Sequence, residues 1–303
     1  MVEIRPVRFP SGPFTLAGAL FLPEGFEESG SYPALVIAHP EGSVKEQAPA
    51  LYAQKLAEQG FVALTFDGAY MGESSGEPHF TTDPAQRVED IRCAVDYLTT
   101  LPFVNQERLG GLGICAGGAY MIDAAKTEKR FAAIGAVVPV DMGAGMREGQ
   151  ADKQALLQTL QAAAATRSAQ VAGAETMLID TVAASDEDAE KFPARSLFRE
   201  ARSYYRGVAE HERSTGQIVF SGMDKLLRYN PFDLMPLMWS HPLLVISGTE
   251  ADTIGFAQRA VELSDGLGTL EVLEGASHVD LYYKPEFVDP AVLKLSEFFK
   301  ASL

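Results

Sequence analysis

The sequence predicts an α/β fold: a mostly parallel central sheet flanked by helices, interrupted by a helical insertion. Two observations carry this. Short, wholly apolar runs of the buried parallel-strand kind recur (ALVIA at 34–38, FVALTF at 61–66, LGGLGI at 109–114, AAIGAVVPV at 132–140, LLVIS at 243–247), and segments of helical apolar spacing separate the first four. The rhythm then stops after Asp141 and resumes at Pro242, a gap of about a hundred residues and too long for a plain connection. The expected division is a core of residues 1–140 with 241–303, and a helical insertion or lid over 141–240.

The elements follow in order. Residues 3–9 and 14–22 read as an antiparallel hairpin at a sheet edge, with Pro10-Ser11-Gly12-Pro13 as its turn. After the strand at 34–38, a helix is expected over about 46–59, capped by Gly60. The strand at 61–66 ends at Asp67. A second helix starts near Asp83-Pro84, where Asp83 can cap and Pro84 suits the first turn. The strand at 109–114 leads directly into a helix that runs to about Ala125, and 132–140 is again a strand. Within the insertion, helices are expected at 151–168 and 192–208, with no clear core strand. Met223, Leu226, Tyr229, Phe232, Met235, Met238 and Trp239 form an apolar cluster that reads as packing between insertion and core, or as a pocket wall. Beyond the strand at 243–247 come a helix at 255–263, a last strand at 269–273 and a C-terminal helix at about 290–300.

Composition narrows the function. The net charge is −16, which argues against nucleic acid and anionic membrane as partners and leaves a small-molecule substrate. No run approaches the roughly 18 apolar residues that span a bilayer. The N-terminal stretch MVEIRPVRFPSG lacks an apolar segment, so no secretory signal is expected. The two cysteines, Cys93 and Cys115, are expected to be free thiols, which suits a reducing, cytoplasmic setting. Cys93 sits beside a helix's apolar stripe and reads as structural. Neither a zinc-site spacing nor a dinucleotide-binding register is present, so no metal or cofactor is expected. Among oligomers, symmetry alone favours a homodimer.

Gly113-Ile114-Cys115-Ala116-Gly117 fits the pattern Gly-x-nucleophile-x-Gly. A nucleophile at a sharp strand-to-helix turn needs small neighbours, because the turn is tight and strained. Past the ends of later strands lie Asp252 and then His278, which gives the order nucleophile, acid, histidine on the side of an open sheet where catalytic groups gather. Cys115 would attack a carbonyl carbon. His278 would take its proton or hold it in a thiolate–imidazolium pair, and an acid would orient the imidazole. Asp252 is favoured as that acid over Glu250, since a short carboxylate on a turn is positioned at lower entropy. The backbone N–H of Ala116 is one natural oxyanion donor. Pro40 has no N–H, so Glu41 or Gly42 must supply the second. A Glu41 carboxylate there would oppose negative charge unless it points away or pairs with Lys45. His39 reads as a brace for its loop.

With these residues in place, the chain resembles the α/β-hydrolase superfamily. GICAGG is similar to the nucleophile elbow of its cysteine branch, which includes dienelactone hydrolases. IAHPEGSVKEQ, TFDGAYMGESSGEP and GASHVDLYY resemble a group of uncharacterised bacterial α/β-hydrolases with polyketide-transferase-like or thioesterase-like fungal members. The resemblance implies Cys115 as nucleophile, Asp252 as acid, His278 as base, and Ala116 and Glu41 as backbone oxyanion donors. It implies a hydrolase of an ester, thioester or lactone working through an acyl-enzyme. Two alternatives stand beside it: acyl transfer from the same intermediate, and a catalytically silent binding protein with an ordinary, unreactive thiol. A working nucleophile is expected to react well below a pKa of about 8.5.

Overall fold

β1 (Glu3–Ser11) and β2 (Phe14–Leu22) form the expected antiparallel hairpin, and Gly12 takes the positive φ of its turn. The structure, a computed structural model, describes residues 1–303. The remaining strands of the main sheet are β3 (Tyr32–Ala38), β4 (Val62–Phe66), β5 (Val104–Ile114) and β6 (Phe131–Val137). β7 (Leu178–Asp180) and β8 (Gln217–Val219) pair with each other apart from it. β9 (Leu243–Gly248) and β10 (Gly268–Leu273) complete it. The order is β1-β2-β4-β3-β5-β6-β9-β10, antiparallel only at β1/β2 and β2/β4. β3, β4 and most of β5 are buried on both faces, which is why they are apolar throughout rather than alternating.

Helices cover both faces. Those at Ala48–Glu58 and Pro84–Thr99 match the expected ones, and Asp83 caps the second by accepting from the Ala85 and Gln86 N–H groups. The C-terminal helix begins earlier than expected, at Pro285 rather than Pro290. Pro285 sits in the first turn, where a missing N–H costs nothing, and Pro290 is carried inside the helix.

The insertion adds no strand to the main sheet, as expected, and its apolar cluster decides between the two readings given for it. The insertion contains the short β7–β8 ribbon besides its helices, of which Lys153–Val171 is the longest. The apolar cluster at 223–239 is split between two cores. Met223, Leu226 and Leu227 pack with Ala163 and Ile218, while Tyr229, Phe232, Met235 and Trp239 join the main core. None of these residues walls the cavity at Cys115.

One junction sets the position of everything near the sheet's C-terminal edge. β5 passes into the helix Ala116–Ala125 through the single residue Cys115. Only glycine fits on either side. A Cβ on Gly113 would lie 2.2 Å from the Gly117 carbonyl oxygen, and one on Gly117 would lie 2.4 Å from that of Ala38. Both obstacles are backbone and cannot swing aside. Gly113→Ala is therefore expected to cost at least about 1–3 kcal/mol, read as a lowered melting temperature. An unchanged melting temperature would contradict this packing.

Candidate active site

Cys115 has φ 57° and ψ −127°, a conformation L-residues avoid. The turn directs its buried thiol away from the sheet. The backbone N–H groups of Ala116 and Glu41 and the Tyr282 hydroxyl lie around Sγ and favour its charged form. The Ala116 N–H is free because it belongs to a helix's first turn. The Glu41 N–H donates to no backbone carbonyl.

The Glu41 side chain points away from the thiol's donors. Its carboxylate accepts from Thr82 Oγ1 at 2.6 Å and from the Tyr120 hydroxyl at 3.0 Å. It does not pair with Lys45, which is taken by Glu46, Asp67 and Glu73. His39 braces the same loop: its Nε2 accepts from the Gly68 N–H at 3.2 Å and lies 2.7 Å from Arg87 Nη1. Burial and the neighbouring Arg87 hold His39 well below the usual imidazole range.

His278 follows β10 and is fully buried. Its Nδ1 lies 2.6 Å from Thr253 Oγ1, and its Nε2 lies 3.0 Å from the Tyr282 hydroxyl. Thr253, His278, Tyr282 and Cys115 thus form one continuous row, with the tyrosine between imidazole and thiol.

The expected acid is not in this row. The Asp252 carboxylate accepts from the Leu197 N–H at 3.1 and 3.2 Å, and its neighbour Thr253 occupies Nδ1 instead. Glu250 is also engaged elsewhere, with Arg195 Nε at 2.5 Å. Both carboxylates are held by the insertion. Arg195 further donates to the Gly275 carbonyl and to Asp280, and Ser277 bonds Glu200, so the insertion is tied to the histidine loop itself.

Burial governs the charge state. It pushes the Cys115 thiol up to about 11, and the Glu41 carboxylate adds to the shift against the opposing N–H and Tyr282 contacts. Burial also pushes His278 down to about 3. Both directions favour a neutral resting pair over a thiolate–imidazolium pair. No fixed positive charge stabilises a thiolate, and Thr253 is too weak a partner to hold an imidazolium.

A cavity of about 320 Å³ opens beside Cys115. Its walls come mainly from the insertion: Met142, Met146, Ile179, Val182, Leu197 and Phe198, with Phe256 opposite. The charged residues lining it are Glu41, Asp180 and Asp252, all acidic, with no lysine or arginine. No group of three or more His, Cys, Asp or Glu side chains is placed to hold a metal ion, and no helix is long and apolar enough to cross a membrane.

Sequence reasoning missed Thr253 and Tyr282. Tyr282 had only a weak signal, its closeness in sequence to His278, which lies just before the turn Asp280–Tyr283. Thr253 had none beyond its adjacency to Asp252.

The sheet order, the cysteine elbow and the histidine after the last strand define an α/β-hydrolase-fold enzyme, a hydrolase. The profile of the dienelactone hydrolase family matches residues 16–191, and the chain belongs to that family. YcjY of Escherichia coli strain K12 is 31% identical over 296 residues, covering 95% of each chain. The crystal structure of hypothetical protein PA2218 from Pseudomonas aeruginosa superposes with a TM-score of 0.90 at 30% identity, covering 100% of this chain and 94% of that one. A thiohydrolase of Eupenicillium brefeldianum is 26% identical over 259 residues, 82% of this chain and 80% of its own.

The His278 environment has a consequence for stability. A folded pKa of about 3, below the ordinary 6.5, means the fold excludes the proton. The associated stability is present above pH 6.5 and is lost as pH falls from there towards 3. Between these limits the wild type should lose about 1.4 kcal/mol per pH unit more than His278→Gln, measured by denaturant unfolding at several pH values. Parallel pH profiles for the two proteins would contradict the buried neutral imidazole.

Proposed function

We propose that the protein hydrolyses esters or thioesters of neutral, apolar acyl groups through an acyl-enzyme on Cys115. The observation that carries this is Cys115 held at a strained strand-to-helix junction on the cavity wall, with the Ala116 and Glu41 N–H groups beside its thiol. Two backbone donors aimed at the nucleophile's surroundings are what a developing oxyanion requires, and removing one costs about 3 kcal/mol of transition-state stabilisation. Cys115 attacks the acyl carbon, and the carbonyl oxygen takes the place between the two N–H groups. His278 is the base that accepts the thiol proton, and Thr253 fixes its ring. As the tetrahedral species collapses, that proton passes to the departing alcohol or thiol. Water then attacks the acyl carbon with His278 again as base, and the acid leaves as Sγ is reprotonated. The relative named as a thiohydrolase favours the thioester arm.

The cavity supports the acyl class. At about 30 Å³ per water-sized group, its volume of about 320 Å³ admits an acyl portion of about ten heavy atoms. Its walls are apolar and its charges are all negative, so an anionic acyl group would be buried unpaired at a cost of several kcal/mol. Transfer to a bound acceptor would use the same intermediate. Product analysis with alcohol, amine and thiol acceptors separates it from hydrolysis, because only transfer yields a new ester, amide or thioester.

Intact-protein mass spectrometry after exposure to an activated ester is expected to show one acyl adduct on wild type and none on Cys115→Ala. An adduct that persists in the variant would sink the nucleophile assignment. Turnover of p-nitrophenyl hexanoate is expected to exceed that of the corresponding ω-carboxylate ester by about tenfold or more in kcat/KM. Equal rates would contradict the acyl class. Thr253→Val is expected to lower kcat by about 5- to 10-fold, the kinetic equivalent of one neutral hydrogen bond, and by more than Asp252→Asn does. The reverse ranking would return the orienting role to Asp252.

A further inference from the structure

The row of contacts at the thiol contains a hydroxyl that the acyl-enzyme reading does not use. We propose that Tyr282 is a catalytic proton carrier, its hydroxyl taking the proton from Cys115 Sγ while passing its own to His278 Nε2; this rests on the Cys115 nucleophile reading. Three features of the geometry carry it. The Tyr282 hydroxyl lies 3.0 Å from Nε2, and its residue shares the cavity wall with Cys115, whose thiol is its neighbour on the other side. Nδ1 is occupied by Thr253 Oγ1 at 2.6 Å, so with the proton on Nδ1 the free lone pair of the ring faces Tyr282. Tyr282 also lines the cavity beside Cys115, within reach of the reacting acyl group.

The balance closes. As the S–C bond forms, the carbonyl π pair moves onto oxygen between the two N–H groups, the thiol proton moves to the Tyr282 oxygen, and the Tyr282 proton moves to Nε2. When the tetrahedral species collapses, the C–O or C–S bond to the leaving group breaks. The leaving group takes a proton from the Tyr282 hydroxyl, which is refilled from Nε2–H. Water enters by the same path in reverse, and Sγ recovers its proton as the acyl–sulfur bond breaks. Burial holds the Tyr282 hydroxyl well above the usual phenol range, so it never rests as phenolate and its two transfers are concerted. This removes the need for a standing thiolate, which the site does not stabilise. His278 lies just before the turn Asp280–Tyr283 that carries Tyr282, and the two side chains meet at 3.0 Å.

The test pairs a variant with a measurement on the unaltered enzyme. Tyr282→Phe keeps the buried ring and removes one oxygen. It is expected to lower kcat about 100-fold with KM changed less than about threefold, at a melting temperature close to wild type. The dependence of the wild-type acylation rate on solvent deuterium fraction is expected to be bowed, because two protons move together. A Phe variant with kcat within about threefold of wild type overturns the proposal. So does a straight-line deuterium dependence, which also decides the matter if the variant does not fold. The two readings fail differently. An acyl adduct on Cys115 together with an unaffected Phe variant removes only the relay, whereas the absence of any adduct on wild-type Cys115 removes the nucleophile beneath it.

Discussion

The site depends on a single strained residue. Holding a cysteine at φ 57° costs about 1–3 kcal/mol, and the cost is met because β5 and the following helix can approach only in this way. The bend brings a helix N-terminus up to the thiol and presents Sγ to the loop after β3. The same bend leaves the Cys115 N–H bonded to Val137 and its carbonyl bonded to the Gly118 and Val140 N–H groups, so the residue is pinned to the neighbouring strand and to its own helix. Relaxing φ would break those bonds together.

From this anchor the electrostatics follow. Everything around the thiol is buried and neutral or negative, which leaves both thiol and imidazole uncharged. Glu41 supplies a backbone donor while its carboxylate is drawn off by Thr82 and Tyr120. The insertion acts on the same centre from above. It takes Asp252 and Glu250, clamps the histidine loop through Arg195 and Glu200, and provides most of the apolar wall. Its geometry thereby bears both on which acyl groups fit and on which side chain orients the base.

What could be read from the sequence divides along physical lines. The parallel strands were legible because burial on both faces makes them locally apolar, and the turn at Cys115 was legible from its run of small residues, of which Gly113 is demanded by the adjacent Gly117 and Gly118 while Gly117 is demanded by the distant Ala38 and His39 carbonyls. The two N–H groups proposed as oxyanion donors were chosen from chain geometry, which does not depend on side-chain placement. Which side chain meets the imidazole was not legible in this way. Asp252 and Thr253 are adjacent, and only the distant Leu197 N–H decides which of them faces the imidazole. The aromatic and methionine residues at 223–239 read as packing or as a pocket wall, because apolarity alone does not say which core will absorb them, and packing is what they do. The actual wall, from Met142 to Phe198, is spread over separate short elements with no periodic signal.

The central claim is that the resting nucleophile is a buried neutral thiol. It is tested most directly by the pH dependence of Cys115 alkylation by iodoacetamide in a Cys93→Ser background, followed by mass spectrometry. The account predicts slow alkylation at neutral pH and a rate still climbing at about pH 10, well beyond the usual thiol range. A rate already at its plateau near pH 7 would mean a standing thiolate and would contradict it.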